Sequence, residues 1–145
     1  MELTLTRPDD WHLHVRDGAT LASVLPHTAR QFGRAIIMPN LQPPVTTSAL
    51  AIDYRKRILS ALPLDADFSP LMTLYLTDNT TADDIIEAHA SQLVHAVKLY
   101  PAGATTHSDA GVTAICNTYA TLEVMEKLGM PLLVHAEVTD ASVDV

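Results

Sequence analysis

A chain of 145 residues, 48% of them hydrophobic, is long enough for one domain with a real core and too apolar to be a disordered tail. Its net charge of −8 and pI near 5.1 exclude the broad basic face that nucleic acid or an anionic membrane requires, but not a local site for a small anion. No run approaches the ~18 unbroken apolar residues of a membrane span; the N-terminal MELTLTRPDD lacks a signal-peptide layout, and the single Cys116 cannot form an internal disulfide, so a cytoplasmic protein is expected.

In chain order, apolar strands alternate with amphipathic helices. Residues 10–16 read as a first strand, DWHLHVR, and 19–32 as a helix with Pro26 as its weak point. Residues 34–40 form a second strand closed by the turn signals of PNLQPP, and 46–62 a helix with Thr or Ser caps. A third strand, 69–77, precedes a helix over 81–93, where Thr81 and Asp84 have capping-box spacing. A fourth strand, 94–101, leads to a helix over 111–129 ended by Gly129, and 130–137 is a fifth strand. This rhythm predicts a parallel α/β sheet with right-handed crossovers. An open doubly wound sheet and a (β/α)8 TIM barrel both fit it. No glycine-rich phosphate loop follows the first strand, and polar residues gather late in several strands, as at the catalytic rim of a barrel. The barrel is the expected fold, with residues 1–145 as the N-terminal part of a single catalytic domain, since a barrel needs eight strands and the pattern supplies five.

The chemistry is concentrated at those strand ends. Alternation along a strand puts His12, His14 and Arg16 on one face, where two imidazoles can share a metal and an arginine needs an anion. An isolated HxH pair also occurs on ordinary polar strand faces. His135 closes the fifth strand and is a third candidate ligand. Lys98 sits in an apolar strand, where an ammonium is costly. It either reaches to the rim or stays neutral, and a neutral amine can take up carbon dioxide to become an anionic, bidentate carbamate. Asn40 is a turn former or a donor to a substrate oxygen, and Thr105 and Thr106 are helix-approach residues or hydroxyls on a lid. His27, His89, His95 and His107 are assigned to the surface or to packing, and Cys116 to helix packing.

DWHLHVRD, MPNLQPPVTT, VKLYPAGATT and MPLLVHAE together resemble, in order and across the whole chain, the dihydroorotases of the amidohydrolase superfamily, most closely the short stand-alone bacterial type. That resemblance implies a TIM barrel with two zinc ions that interconverts L-dihydroorotate and N-carbamoyl-L-aspartate in pyrimidine biosynthesis. By position, it makes His12 and His14 ligands of one zinc, Lys98 the carboxylated lysine bridging both, and His135 a ligand of the second. It makes Arg16 and Asn40 the holders of the substrate carboxylate, and puts Thr105 and Thr106 on the closing loop. A proton-shuttling aspartate and a further histidine ligand are expected after Val145, so this chain alone is expected to be inactive, and the full-length protein a homodimer. Two other readings are a cyclic-amide hydrolase of the dihydropyrimidinase or hydantoinase kind, whose substrates lack the carboxylate, and a metal-free relic with the barrel pattern but no chemistry.

Overall fold

The computed structural model describes residues 2–137 and residue 142; most of the closing DASVDV stretch lies outside them. Five strands form one parallel sheet in the order β1 (Asp9–Leu13), β2 (Arg34–Ile37), β3 (Ser69–Leu76), β4 (Val94–Leu99) and β5 (Leu132–Val134). Helices α1 (Gly18–Gln31), α2 (Ser48–Ala61), α3 (Ala82–Ala90) and α4 (Tyr119–Leu128) make the crossovers between them. Each strand pairs with the next in sequence, the arrangement of a curling barrel wall and not of a doubly wound sheet, whose strand order reverses at a switch point.

Strand alternation divides the sheet into two faces. Ala35, Ile37, Met72, Leu74, Leu76, Val97 and Leu99 join Leu25, Tyr54, Ile58, Ile85 and Met125 of the helices in one buried apolar cluster. The opposite face carries Ile36, Met38, Thr73, Tyr75, Ala96, Lys98 and Tyr100, all with little or no exposure. That face is the barrel interior, and the polar groups lie on it. Thr73 satisfies its buried hydroxyl by donating to the Ile37 carbonyl at 2.6 Å.

The local signals for helix ends hold. Thr81 and Asp84 form the capping box that opens α3, and Gly129 closes α4 in the left-handed conformation. Pro26 does not break α1, which runs through it. The fourth helix is shorter than its sequence pattern, because Asp78 captures the amide and hydroxyl of Thr113 at 3.0 and 2.6 Å and Val112 pairs with the Tyr100 and Ala102 backbones. A 3-10 turn, Ile115–Thr118, leads into α4, so Cys116 is exposed on that turn and does not pack inside a helix. No helix among the described residues is long and apolar enough to cross a membrane.

Candidate active site

Three loops converge beyond the C-terminal ends of β1, β2 and β4, at Arg16, Asn40 and His107. The alternation predicted over residues 10–16 does not hold to its end, because β1 stops at Leu13. Asp10 pairs with Ala35 and Leu13 with Ile37, so β1 carries one extra residue between them, a bulge around Trp11 and His12. The bulge re-aims the histidines. His12 and His14 meet with their Nε2 atoms 3.1 Å apart and ring centroids 5.1 Å apart. Two nitrogens on one tetrahedral zinc, each at ~2.0–2.1 Å, are separated by about 3.3 Å, so the pair already has the spacing of a shared ligand set.

Electrostatics keeps these rings neutral. Burial, with repulsion from Arg16, His12 and Lys98, pushes His14 down to about 4, against a hydrogen-bonding contribution from Asn40. Burial and Lys98 also lower His12, partly opposed by Asp10. A neutral imidazole is the form that binds a metal. His14 Nδ1 is buried and has no hydrogen-bond partner among the described residues.

Lys98 lies within β4, in register with Tyr75 on β3 and Leu133 on β5. Its side chain is buried, with no ion pair or hydrogen bond among the described residues. Its Nζ sits 5.1 Å from the centre of the Tyr100 ring, and burial holds its pKa below the usual lysine value. Tyr100 stacks on Tyr75 at 5.1 Å and approaches His135 at 5.9 Å.

His135 falls one residue past β5 and its amide extends the ladder to the Leu99 carbonyl. Its Nε2 faces Glu137 Oε2 at 2.7 Å, not the other two histidines. Accordingly, no cluster of three or more His, Cys, Asp or Glu side chains converges as a metal site among the described residues.

Arg16 is off the strand altogether. Its φ of +59° is left-handed, a conformation that costs a non-glycine residue about 1–2 kcal/mol. There its Nη1 is buried without a hydrogen-bond partner among the described residues. The residue lines a cavity of about 200 Å³ together with Gln42, Pro43, Leu50, Arg57 and His107. A larger cavity, about 470 Å³, lies at the opposite end of the sheet beside Arg7 and Asp67 and takes no part in this cluster.

Asn40 is likewise beyond its strand, which ends at Ile37, and is 2% exposed. Its side-chain amide donates to the Thr106 carbonyl at 3.0 Å, leaving one amide hydrogen for another acceptor. Its own carbonyl faces His107 Nδ1 at 3.2 Å, and the Tyr75 hydroxyl donates to the His107 carbonyl at 3.3 Å. The loop after β4 is therefore docked on the barrel at Thr106 and His107. The Thr105 and Thr106 hydroxyls make no hydrogen bond among the described residues, while Ser108 braces the Thr105 backbone on both sides. His107, expected at the surface or in packing, lines the cavity wall instead. Its contact with Asn40 spans 67 positions, which no local pattern reveals.

The sequence signature of the Amidohydrolase family matches residues 9–145. This chain belongs to the amidohydrolase family. Among the relatives of this amidohydrolase chain are the dihydroorotase of Leptothrix cholodnii, 71% identical over 143 residues, and that of Cupriavidus necator, 70% identical over 144. Each alignment takes in 99% of this chain but only 41% and 42% of the relatives' lengths. The fold is similar to the crystal structure of dihydroorotase from Campylobacter jejuni, with a TM-score of 0.85 and 42% identity over 92% of this chain and 39% of that one. It is also similar to dihydroorotase of Saccharomyces cerevisiae in complex with 5-fluoroorotic acid, with a TM-score of 0.84 and 36% identity over 94% of this chain and 38% of that one. An L-hydantoinase from Arthrobacter aurescens shares the fold alone, at 18% identity and a TM-score of 0.72 over 90% of this chain and 29% of that one. The five parallel strands and four crossover helices of this amidohydrolase chain are thus part of a TIM-barrel architecture.

Proposed function

We propose that the whole protein is a zinc-dependent dihydroorotase, acting on the cyclic amide of L-dihydroorotate and forming N-carbamoyl-L-aspartate. One observation carries the choice within the family: the guanidinium of Arg16, with Nη1 buried and without a hydrogen-bond partner among the described residues, stands two residues along the chain from the His12–His14 pair. A guanidinium nitrogen buried without a partner calls for an anion. Dihydroorotate carries a carboxylate on the ring that is cleaved, whereas the dihydropyrimidines and hydantoins of the alternative reading do not. The dihydroorotase relatives at 70–71% identity support the same choice.

His12 and His14 fit a zinc by their spacing and neutrality, and Lys98 fits the bridging role. Burial lowers the Lys98 pKa, and in its neutral form the amine would add to carbon dioxide and lose one proton to give a carbamate, which would supply the negative charge that three histidines lack. His135 is the fourth ligand in this scheme, with Glu137 competing for its ring. Bound zinc polarises an amide carbonyl and activates water at neutral pH. The chain's own contribution is orientation. Arg16 takes the substrate carboxylate in a planar two-pronged contact, and the remaining Asn40 amide hydrogen reaches the same group. Thr105 and Thr106 belong to the docked loop, where their hydroxyls have no hydrogen-bond partner among the described residues and the loop keeps water from the bound ring. The proton-shuttling aspartate of this scheme is not assigned to any residue of the chain. A reducing, cytoplasmic setting fits the single, exposed Cys116, and a homodimer of the whole protein is part of the same reading. Turnover of dihydroorotate by the zinc-loaded whole protein, compared with Arg16→Ala, is the test. Loss of activity with retained zinc supports the reading, and an unaffected Arg16→Ala enzyme contradicts it.

A further inference from the structure

Arg16 reaches its cavity from a backbone conformation that L residues other than glycine avoid. An arginine held there needs support from outside its own loop, and α2 supplies it from two residues one turn apart. Tyr54 is 1% exposed and donates its hydroxyl to the Arg16 carbonyl at 2.6 Å. Three residues on, Arg57 sets its Nε 3.0 Å from Asp17 Oδ1 and its Nη2 2.8 Å from Asp17 Oδ2. The same Asp17 carboxylate caps α1 by accepting the Gly18 amide at 2.9 Å. The Arg57 guanidinium lies 5.3 Å from the centre of the Tyr54 ring, so the two clamp residues also hold each other. The loop between β1 and α1 is gripped at the carbonyl of residue 16 and the carboxylate of residue 17, both from one helix. At its other end, the Arg16 side chain presents a buried Nη1 that no described residue satisfies. Such a group, fixed at its base before the ligand arrives, binds without first losing conformational freedom.

We propose that Tyr54 and Arg57 are positioning residues for the substrate carboxylate, acting through Arg16, whose backbone they fix so that its guanidinium faces the incoming anion. This rests on the reading of Arg16 as the carboxylate-binding group. Tyr54 holds the Arg16 backbone and Arg57 is held by Asp17, so both act through the loop that carries Arg16. Their effect is on where Arg16 stands, so it appears in substrate binding and not in the chemical step.

The test is a double-mutant cycle on the zinc-loaded whole protein, using Tyr54→Phe, Arg16→Ala and the pair. Tyr54→Phe keeps the ring and removes only the hydroxyl. It should raise KM for dihydroorotate roughly tenfold, with kcat within about twofold and zinc content unchanged. In the Arg16→Ala background the same change should have no further effect, because there is no guanidinium left to position. Arg57→Gln, at a half-exposed position with little risk to folding, should behave in the same way with a smaller rise in KM. Should Tyr54→Phe fail to fold, Arg57→Gln carries the cycle. Titration calorimetry with 5-fluoroorotate and 5-fluorouracil repeats the cycle without turnover: only the carboxylate-bearing ring should lose affinity. Effects of equal size in both backgrounds, a loss confined to kcat, or an unchanged KM would overturn the positioning role while leaving Arg16 in the site. An Arg16→Ala enzyme with unaltered KM would instead overturn the assignment of Arg16 itself, and the clamp's role with it.

Discussion

Replacing Lys98 by methionine in the whole protein should move two properties in opposite directions. Lys98 is 2% exposed and has no carboxylate or hydrogen-bond acceptor among the described residues; its one electrostatic neighbour of favourable sign is the face of Tyr100, 5.1 Å away. Without zinc, this amine ends a side chain that is almost wholly buried in an apolar strand, with no counter-charge among the described residues, and taking such a polar group out of water costs about 1–3 kcal/mol on mutational scales. The aromatic face offsets about 0.5–1 kcal/mol of that. Methionine is unbranched and fills much of the same volume with no polar end. Zinc-free Lys98→Met should therefore be more stable than zinc-free wild type by about 1–2 kcal/mol, seen as a rise of a few degrees in Tm. The zinc-loaded comparison should reverse, because the variant offers no carbamate and loses both metal and turnover. Scanning calorimetry on stripped protein, metal analysis after reconstitution and a dihydroorotate assay measure the three quantities. A zinc-free variant less stable than wild type would show that the amine has a structural partner, and a variant retaining two zincs and activity would remove Lys98 from the metal site.

Arg16→Lys should lower kcat/KM for dihydroorotate by at least ~10-fold, since an ammonium lacks the planar fork of a guanidinium; steady-state kinetics on the zinc-loaded protein decides this. Folding holds His14 neutral, with its pKa pushed down to about 4 from an ordinary value near 6.5. The unfolded chain therefore binds more protons between those limits, and the stability of zinc-free protein should fall as pH drops from about 6.5 toward 4. His14→Asn should flatten that part of a Tm-against-pH curve, and an unchanged slope would place the titration elsewhere. Purified 1–145 chain should show no dihydroorotate turnover with zinc present, and turnover near whole-protein rates would contradict the need for residues outside it.

How far the sequence revealed this arrangement depends on whether each feature is local. The β/α rhythm, the Thr81–Asp84 capping box and the Gly129 terminus rest on neighbouring residues and were legible. Lys98 stood out because a single charge interrupts an apolar strand. The strand ends were read too late because His14, Arg16, Asn40 and His135 continue the strand pattern after the hydrogen-bond ladder has stopped. Alternation puts His12 and His14 on one face, whereas the strand carries a bulge between Asp10 and Leu13, and a bulge leaves no mark in the pattern of apolar and polar residues. Tyr54 carries no local mark of its role, since its partner Arg16 lies 38 positions earlier in the chain. His107 was set aside for the same reason, its contact with Asn40 spanning 67 positions.

The most direct measurement is the ratio of kcat/KM for L-dihydroorotate to that for dihydrouracil, the same ring without its carboxylate, on the zinc-loaded whole protein. A site that pairs a buried guanidinium with a carboxylate rejects a substrate lacking it, as sites built on buried polar contacts do by factors of about 10⁴. A ratio of at least ~10³ in favour of dihydroorotate, collapsing in Arg16→Ala, is the expected result. Comparable turnover of dihydrouracil would contradict it and return the protein to the wider class of cyclic-amide hydrolases.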